Sequence, residues 1–357
     1  MKKRRMNKVL KVILCVLAAL VLIAGAYVAY VFIDFHRLPE VTALDVKGGS
    51  TAMAEAGTPY KLVSFNTGFG AYEPDYGFFM DGGTQSWAWS KERLLANMSA
   101  ITGFLKDQQA DFCFLQEVDE NATRTYHVNE REIMENALTG FDSVYAQNWD
   151  SPFLFYPFTQ PHGKTQCGIM TFSSKQITSA VRQSLPIETG VMKLVDLDRC
   201  YSASRVPVSN GRELVLYNMH LSAYTSDGVI ATEQLRLLLT DMKGEAERGN
   251  YVVCGGDFNK DLLGDSSQYF GIKGDDYTWA QPIPEGTFDG LPLTLVASSN
   301  APSCRVAEGP YVPTQFVLTI DGFIVSDNVR VLGHEVIDTG FAMSDHNPVS
   351  ISFELAE

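Results

Sequence analysis

The run Val252-Val253-Cys254-Gly255-Gly256-Asp257-Phe258-Asn259 turns from apolar to polar in the space of a few residues. A short apolar stretch closed by glycine fits a strand with both faces covered, because such strands read as continuous hydrophobic runs. The glycines let the backbone turn sharply beside a ligand. Asp257 and Asn259, two positions apart, face one side if the segment stays extended. The same grammar recurs in Ser64-Phe65-Asn66, Leu115-Gln116-Glu117, Asn218-Met219-His220 and Ser344-Asp345-His346-Asn347-Pro348. Carboxylates, amides and histidines gathered at strand ends can hold a hard divalent cation and direct water at phosphorus.

Between these signatures the pattern alternates. Leu94, Leu95, Met98, Ile101, Phe104 and Leu105 recur at helical spacing over 90–107, with Ser90 placed as N-cap. Residues 131–138 and 232–248 also read as helices. Residues 61–65, 112–115, 168–172, 201–208, 214–219, 251–254, 316–325 and 349–353 read as strands. Mixed elements with polar residues at strand ends imply a layered α/β domain with its site along one edge. Two similar halves face to face would make a four-layered α/β sandwich, two central mixed β-sheets flanked by helices, although no internal repeat marks the halves.

The N-terminus is separate in character. Lys2, Lys3, Arg4, Arg5, Lys8 and Lys11 precede 22 uncharged residues, 12–33, enough to cross a bilayer as a helix. The basic flank stays cytoplasmic under the positive-inside rule, so a cell-membrane, single-pass protein with its domain outside is expected. A cleaved signal peptide is the alternative, but the run exceeds the usual apolar region, and Tyr27, Tyr30, Phe32 and Ile33 stand where small residues would mark cleavage. Residues 34–59, rich in Ala, Gly, Thr and Pro, read as a linker, and 60–357 as the catalytic domain. At 357 residues and 45% hydrophobic, the chain can bury a large core.

Of 28 Lys+Arg, six lie in the basic flank, leaving 22 against 42 Asp+Glu and a formal charge of −20 on the exported part. That field repels polyanions unless the cleft is locally basic, which counts against a processive nucleic-acid binder. Cys113, Cys167, Cys200, Cys254 and Cys304 form no zinc pattern, and Cys113 and Cys254 read as core hydrophobes.

The ordered signatures resemble the endonuclease/exonuclease/phosphatase superfamily, over essentially the whole exported domain. That resemblance implies a four-layered sandwich and a Mg2+ cofactor, with Mn2+ as a substitute. Glu117 in Leu-Gln-Glu matches the metal-binding acid, joined by Asn66 and Asp345; alone, Asn66 is equally a turn former. Asp257 matches the residue that orients or deprotonates the attacking water, and Asn259 the one that steadies the phosphoryl oxygens. His346 in Ser-Asp-His-Asn-Pro matches a phosphate-binding histidine, and Asp321 the acid that hydrogen-bonds it, a pair that raises the imidazole pKa. Gly322 departs from the family, which places an aromatic or similar residue there. His220, which alone would read as structural, matches the histidine that contacts the scissile phosphate and protonates the leaving oxygen. Arg199 is the candidate phosphate-gripping guanidinium, with Arg205 competing.

Two aromatic segments, 69–89 and 149–158, follow strands near the site edge. They either rim the site, touching a bilayer or an apolar ligand, or fold back as a satellite core. With the anchor, they favour a phospholipid headgroup as substrate. A zwitterionic phosphodiester suits the acidic domain better than an anionic lipid. An extracytoplasmic nuclease using the same site is the alternative, and Lys164, Lys175, Arg182, Lys193 and Arg205 are its candidate basic groove. A non-catalytic binding module is disfavoured because every matched residue is present. No protein partner is implied.

Overall fold

The computed structural model describes residues 7–194, 196–223, 229–271 and 279–357, so Lys2, Lys3, Arg4 and Arg5 of the basic flank lie outside the described residues. Lys8–Asp34 forms the 27-residue helix α1, and the Asn7 side chain caps it by accepting from the Val9 N–H. At 1.5 Å per residue α1 is about 40 Å long, more than a bilayer core requires. Its most apolar stretch is entirely uncovered by the domain, unlike a core helix of a soluble protein.

After β1 (Val41–Ala43) and β2 (Val46–Lys47), the chain runs β3 (Pro59–Asn66), α2 (Lys91–Asp107), β4 (Phe112–Ala122), α3 (Glu130–Ala137), β5 (Asp142–Asp150) and β6 (Thr165–Ser173). Then come β7 (Ser179–Ser184), β8 (Cys200–Pro207), β9 (Glu213–His220), α4 (Val229–Glu247), β10 (Tyr251–Asp257), β11 (Leu293–Val296), β12 (Cys304–Arg305), β13 (Val317–Leu318), β14 (Asp321–Ser326), β15 (Val329–Val336) and β16 (Val349–Leu355). Among the described residues these form two seven-stranded mixed sheets, β15-β16-β3-β4-β6-β5-β2 and β1-β7-β8-β9-β10-β14-β11, with β12 and β13 a separate pair.

Period-two alternation sorts each strand between two cores. Leu62, Phe112 and Phe114 point inward to meet Leu214, Leu216, Tyr251 and Val253 of the facing sheet. Their neighbours Val63, Cys113 and Leu115 point outward, under Leu94, Met98 and Ile101 of α2. On the far side Val215, Tyr217, Val252 and Cys254 lie under Leu235, Leu238 and Met242 of α4. The result is the expected four layers, helices outside two sheets. Each buried large aliphatic or aromatic side chain contributes about 1.5–3 kcal/mol, so the central strands hold the domain and position the loops at their ends.

Some local expectations are corrected. The Ser90 side chain does cap α2, accepting from the Arg93 N–H at 3.2 Å, but Leu95 is exposed because it falls off the buried stripe. The stretch 316–325 is two strands, broken where the Thr319 and Ile320 carbonyls accept from the Leu262 and Phe258 N–H groups. The stretch 34–59 lies against the domain: β1 pairs with β7, β2 with β5, and Arg37 Nε meets Asp198 at 2.6 Å. The first aromatic segment is core, with Phe69, Tyr72, Tyr76 and Phe78 buried. The second ends in an exposed tip.

Candidate active site

Strand register assembles the centre. β9 and β10 are parallel and β10 and β14 antiparallel, and the pairings Asp257↔His220 and Asp257↔Asp321 set three chemical residues in one row. Gly256 makes this possible. Its φ is +144°, and a Cβ there would stand 2.0 Å from the Met219 carbonyl oxygen, so any side chain would push β10 off β9. Asn259 lies at φ 48°, so the segment curls after Asp257 and is not extended. Its N–H donates to Asp257 Oδ1 at 2.8 Å, and its Nδ2 donates to the Leu221 carbonyl at 2.9 Å.

The facing sheet supplies Asn66 at the end of β3. Its buried Nδ2 donates to Glu117 Oε1 at 3.1 Å and to Asp257 Oδ2 at 3.0 Å, and lies 3.4 Å from His346 Nε2. Glu117 was expected at a strand end, but β4 continues past it through an irregularity between Leu115 and Val118, with Glu117 at φ 55°. Such a bulge re-aims one side chain without ending the strand. Below it the buried Arg124 donates to Asp119 from Nε at 2.9 Å and Nη2 at 2.8 Å, with its guanidinium 3.7 Å from the Phe69 ring centre. Arg124→Met should destabilise the protein by about 3–5 kcal/mol by leaving Asp119 buried and unpaired. Chemical denaturation checks it, and Arg124→Met/Asp119→Leu should recover most of the loss; no recovery would mean that packing, not charge, is at stake.

The sheets are also joined through polar groups. Gln116 Nε2 donates to Asn218 Oδ1 at 2.8 Å, and Asn218 Nδ2 donates to the Met170 carbonyl at 2.7 Å. These two residues, parts of the sequence signatures, align the two halves of the site.

His346 Nδ1 donates to Asp321 Oδ2 at 2.8 Å, and Ser303 Oγ donates to the same oxygen at 2.7 Å. Burial is the largest single influence and works against a charge on His346, but Asp321 and Cys304 together carry the pKa well above the ordinary value. His220 goes the other way: burial, then the nearby Arg199 and His346, push it well below, so it is neutral at pH 7. Asp257 lies 3.5 Å from His220 Nε2 and 3.8 Å from His346 Nε2. Burial chiefly pushes its pKa up to about 7.

Arg199 is buried just before β8, and its Nε and Nη1 have no hydrogen-bond partner among the described residues. An unsatisfied buried guanidinium beside a catalytic-type histidine is poised for an anion. Arg205 is excluded from that role, because it is tied to Glu213 at 2.6 Å and to Glu245 at 2.5 Å. Ser303 and Cys304, whose Sγ is 3.7 Å from His346 Nε2, escaped the sequence reading. They lie in a stretch without periodicity, and pairing with the His346 segment brings them in, through the bridge between Cys304 and His346 and the Asn347 N–H donating to the Ser303 carbonyl at 2.7 Å.

Glu117 and Asp345 test the fit of a cation. Burial raises both carboxyls, and for Glu117 the charge of Asp345 adds to it. Among the described residues neither has a Lys or Arg partner; Glu117 accepts from Asn66 and Asp345 from Ser344 Oγ at 3.2 Å. Two repelling acids supply oxygens of the kind a hard divalent ion takes, while Asn66 turns its Nδ2 to Glu117 and its Oδ1, which accepts from the Gly68 N–H at 3.0 Å, keeps one lone pair for a ligand. Asp257, Asp321 and His346 also lie within 4.8 Å of one another. Asp321 and His346 are hydrogen-bonded to each other, and Asp257 stands 3.8 Å from His346 Nε2, so the trio reads as an acid–imidazole pair facing a second acid.

The model of the endonuclease/exonuclease/phosphatase family matches residues 63–346. The chain belongs to that family. By class, members of the family are phosphoester hydrolases, and the fold agrees. An endonuclease/exonuclease/phosphatase from Beutenbergia cavernae DSM 12333 is 17% identical, with a TM-score of 0.57, covering 84% of this chain and 72% of that one. ANGEL2, a 2′,3′-cyclic phosphatase, is 15% identical with a TM-score of 0.56, covering 88% and 99%. The human Nocturnin catalytic domain with bound sulfate is 15% identical with a TM-score of 0.52, covering 88% and 97%. These likenesses are of fold. No curated protein matches the chain.

Proposed function

We propose that the protein is a divalent-metal-dependent phosphodiesterase, held in the cell membrane by α1 with its domain outside, and that it cleaves a phospholipid headgroup. The observation that carries the reaction is Asp257, 3.0 Å from Asn66 Nδ2 and within 4 Å of two histidines of opposite pKa shift. Asp257 orients a water and takes its proton, with a pKa of about 7 that suits a base at neutral pH. Attack on phosphorus is in line. Protonated His346 and the guanidinium of Arg199 stabilise charge on the phosphoryl oxygens. Neutral His220 donates a hydrogen bond towards the leaving side, in the tautomer that carries its proton on Nε2. Asn259 and Asp321 position Asp257 and His346. Glu117, Asp345 and Asn66 would hold Mg2+ or Mn2+, which neutralises phosphoryl charge when bound.

A lipid substrate is supported by the anchor and by the state of the candidate basic groove. Lys164 pairs with Asp150, Arg182 with Asp198, and Arg205 with Glu213 and Glu245. Those charges are spent within the domain, which disfavours a nuclease.

Detergent-solubilised full-length protein with Mg2+ should release headgroup from sphingomyelin or phosphatidylcholine vesicles and leave plasmid DNA intact. EDTA should abolish turnover, and added Mg2+ should restore it. Nicked plasmid with intact lipid would make the enzyme a surface nuclease, and metal-independent turnover would sink the Glu117 and Asp345 assignment. The mass of protein extracted from membranes should include α1; a mature start after Asp34 would replace the anchor with a cleaved signal.

A further inference from the structure

The exposed aromatic tip of the second segment does not hang in solvent but meets the anchor. Tyr27 Oη donates to the Phe153 carbonyl at 2.9 Å, the Phe153 N–H donates to Tyr30 Oη at 2.9 Å, and the Tyr27 and Phe155 rings meet edge-on at 4.7 Å. We propose that residues 153–158, pinned to the outer end of α1, are a membrane-inserted foot that fixes the site's edge of the domain against the lipid surface.

Depth decides the argument. The 22 uncharged residues 12–33 span about 33 Å as a helix, close to the hydrocarbon thickness of a bilayer. Tyr27 is seven residues short of Asp34, so it lies about 10 Å inside the outer limit of the span. A side chain touching Tyr27 therefore reaches past the headgroup boundary into the upper acyl chains, the depth to which interfacial apolar side chains sink. The foot is built for that depth. Residues 151–163 contain no Asp, Glu, Lys or Arg, and Phe155, Tyr156 and Phe158 are 48%, 62% and 84% exposed to a solvent in which such rings have no reason to stand. Just beyond the helix end the character reverses: Lys164 lies 3.6 Å from Asp34 and 3.5 Å from Asp150, with His36 3.7 Å from Asp150. Apolar rings below and a charged collar above describe a headgroup boundary.

The foot is rigid at its root. Leu154 and Gly163 exchange two backbone hydrogen bonds of 3.0 Å, and the Trp87 Nε1–H donates to the Pro161 carbonyl at 2.7 Å. The Tyr156 ring rests 5.7 Å from the Phe79 ring. It also grows from the site's edge of the sheet. β5 ends at Asp150 and β6 starts at Thr165, and that start pairs with β4 just beyond Glu117, as Val118↔Gly168 and Ala122↔Thr165. Seating the foot thus turns the edge carrying Glu117 and Asn66 towards the bilayer. With no basic residue in the tip, the insertion suits a zwitterionic surface. The inference rests on the reading of α1 as a retained anchor.

The test uses the full chain in phosphatidylcholine vesicles. Cys15 is exposed and the other five cysteines are buried, so Cys15→Ala gives a background for a single environment-sensitive label at Phe158→Cys. Leu332→Cys serves as control, on β15 at the opposite edge of the sheet from β5. A nitroxide on the upper acyl chain should quench the label at 158 severalfold more than at 332, with aqueous iodide showing the reverse; equal iodide quenching at both overturns the foot. Phe155→Ser/Tyr156→Ser/Phe158→Ser should lower turnover of vesicle phosphatidylcholine severalfold and spare soluble bis(p-nitrophenyl) phosphate. Equal loss on both would make the tip merely structural and overturn the proposal. If the unsubstituted protein cleaves neither substrate, the phosphodiesterase reading fails, and the label depth still decides the foot.

Discussion

Asp257→Asn is expected to lower kcat by about 10³-fold, within the range that loss of a general base costs, while thermal stability holds or rises. The two effects share one cause. Burial lifts the Asp257 pKa to about 7, so the folded state resists the ionised carboxylate that the unfolded chain accepts freely. For an acid whose folded pKa is raised, the linkage term disfavours folding in full above the folded pKa, here about 7, and is relieved as pH falls from there to the unfolded pKa. Asparagine removes the charge and keeps an oxygen for the Asn259 N–H, now at 2.8 Å from Asp257 Oδ1, giving up only the hydrogen bond from Asn66 Nδ2 to Oδ2, which offsets part of the gain. The backbone turn is therefore retained and core volume is unchanged. Measuring kcat on bis(p-nitrophenyl) phosphate beside Tm in EDTA checks both halves. Normal turnover would eliminate Asp257 as the base, and a large fall in Tm would mean that the carboxylate is structural. A residue that weakens the fold and makes the chemistry is the trade expected of an active site.

The central strands were legible because their chemistry is local. In β3, β4, β9 and β10 both faces are covered, so apolar runs ending in a polar signature mark the strand and its site end together. Edge and polar strands carry no such mark: β5, Asp142–Asp150, is rich in polar residues, and β7 buries Arg182 against tertiary partners, the Gln147 carbonyl at 2.7 Å and Asp198 at 3.1 Å. Glu117 illustrates a second limit. Its left-handed backbone at φ 55° has no glycine to announce it, and its carbonyl accepts from Thr67 Oγ1 at 3.3 Å, a partner distant in sequence. Arg199 and Arg205 were indistinguishable in sequence, since what separates them is the presence of Glu213 and Glu245 beside one. The aromatic segments diverge for the same reason. Phe69 is covered by Arg124, whereas among the described residues Phe158 meets only the Tyr156 ring in its ring contacts.

Asp321→Asn should lower kcat by about 10²–10³-fold with little change in KM, the scale for losing one preorganised charge-stabilising group. Asp321 does not face the phosphate; it acts through His346. Burial opposes the charge on His346, and the Asp321 carboxylate, with Cys304 beside it, overcomes that to lift its pKa well above the ordinary value. Without the carboxylate, burial prevails and the imidazole loses its proton at lower pH. The wild-type site needs an ionised Asp257, at about 7, and a protonated His346, well above the usual value, so activity spans a plateau from near neutral upward. In the variant the alkaline limb moves down, and the acid limb responds as well, because the Asp321 charge is among those that raise the Asp257 pKa. A purely structural defect would lower the whole profile without moving either limb. Ser303→Ala makes the comparison sharper, because it removes only the 2.7 Å hydrogen bond to Asp321 and leaves the charge. It should shift the alkaline limb slightly in the same direction. If Asp321→Asn left that limb in place, His346 would not be the cation of the site, and Arg199 would carry the phosphoryl charge alone.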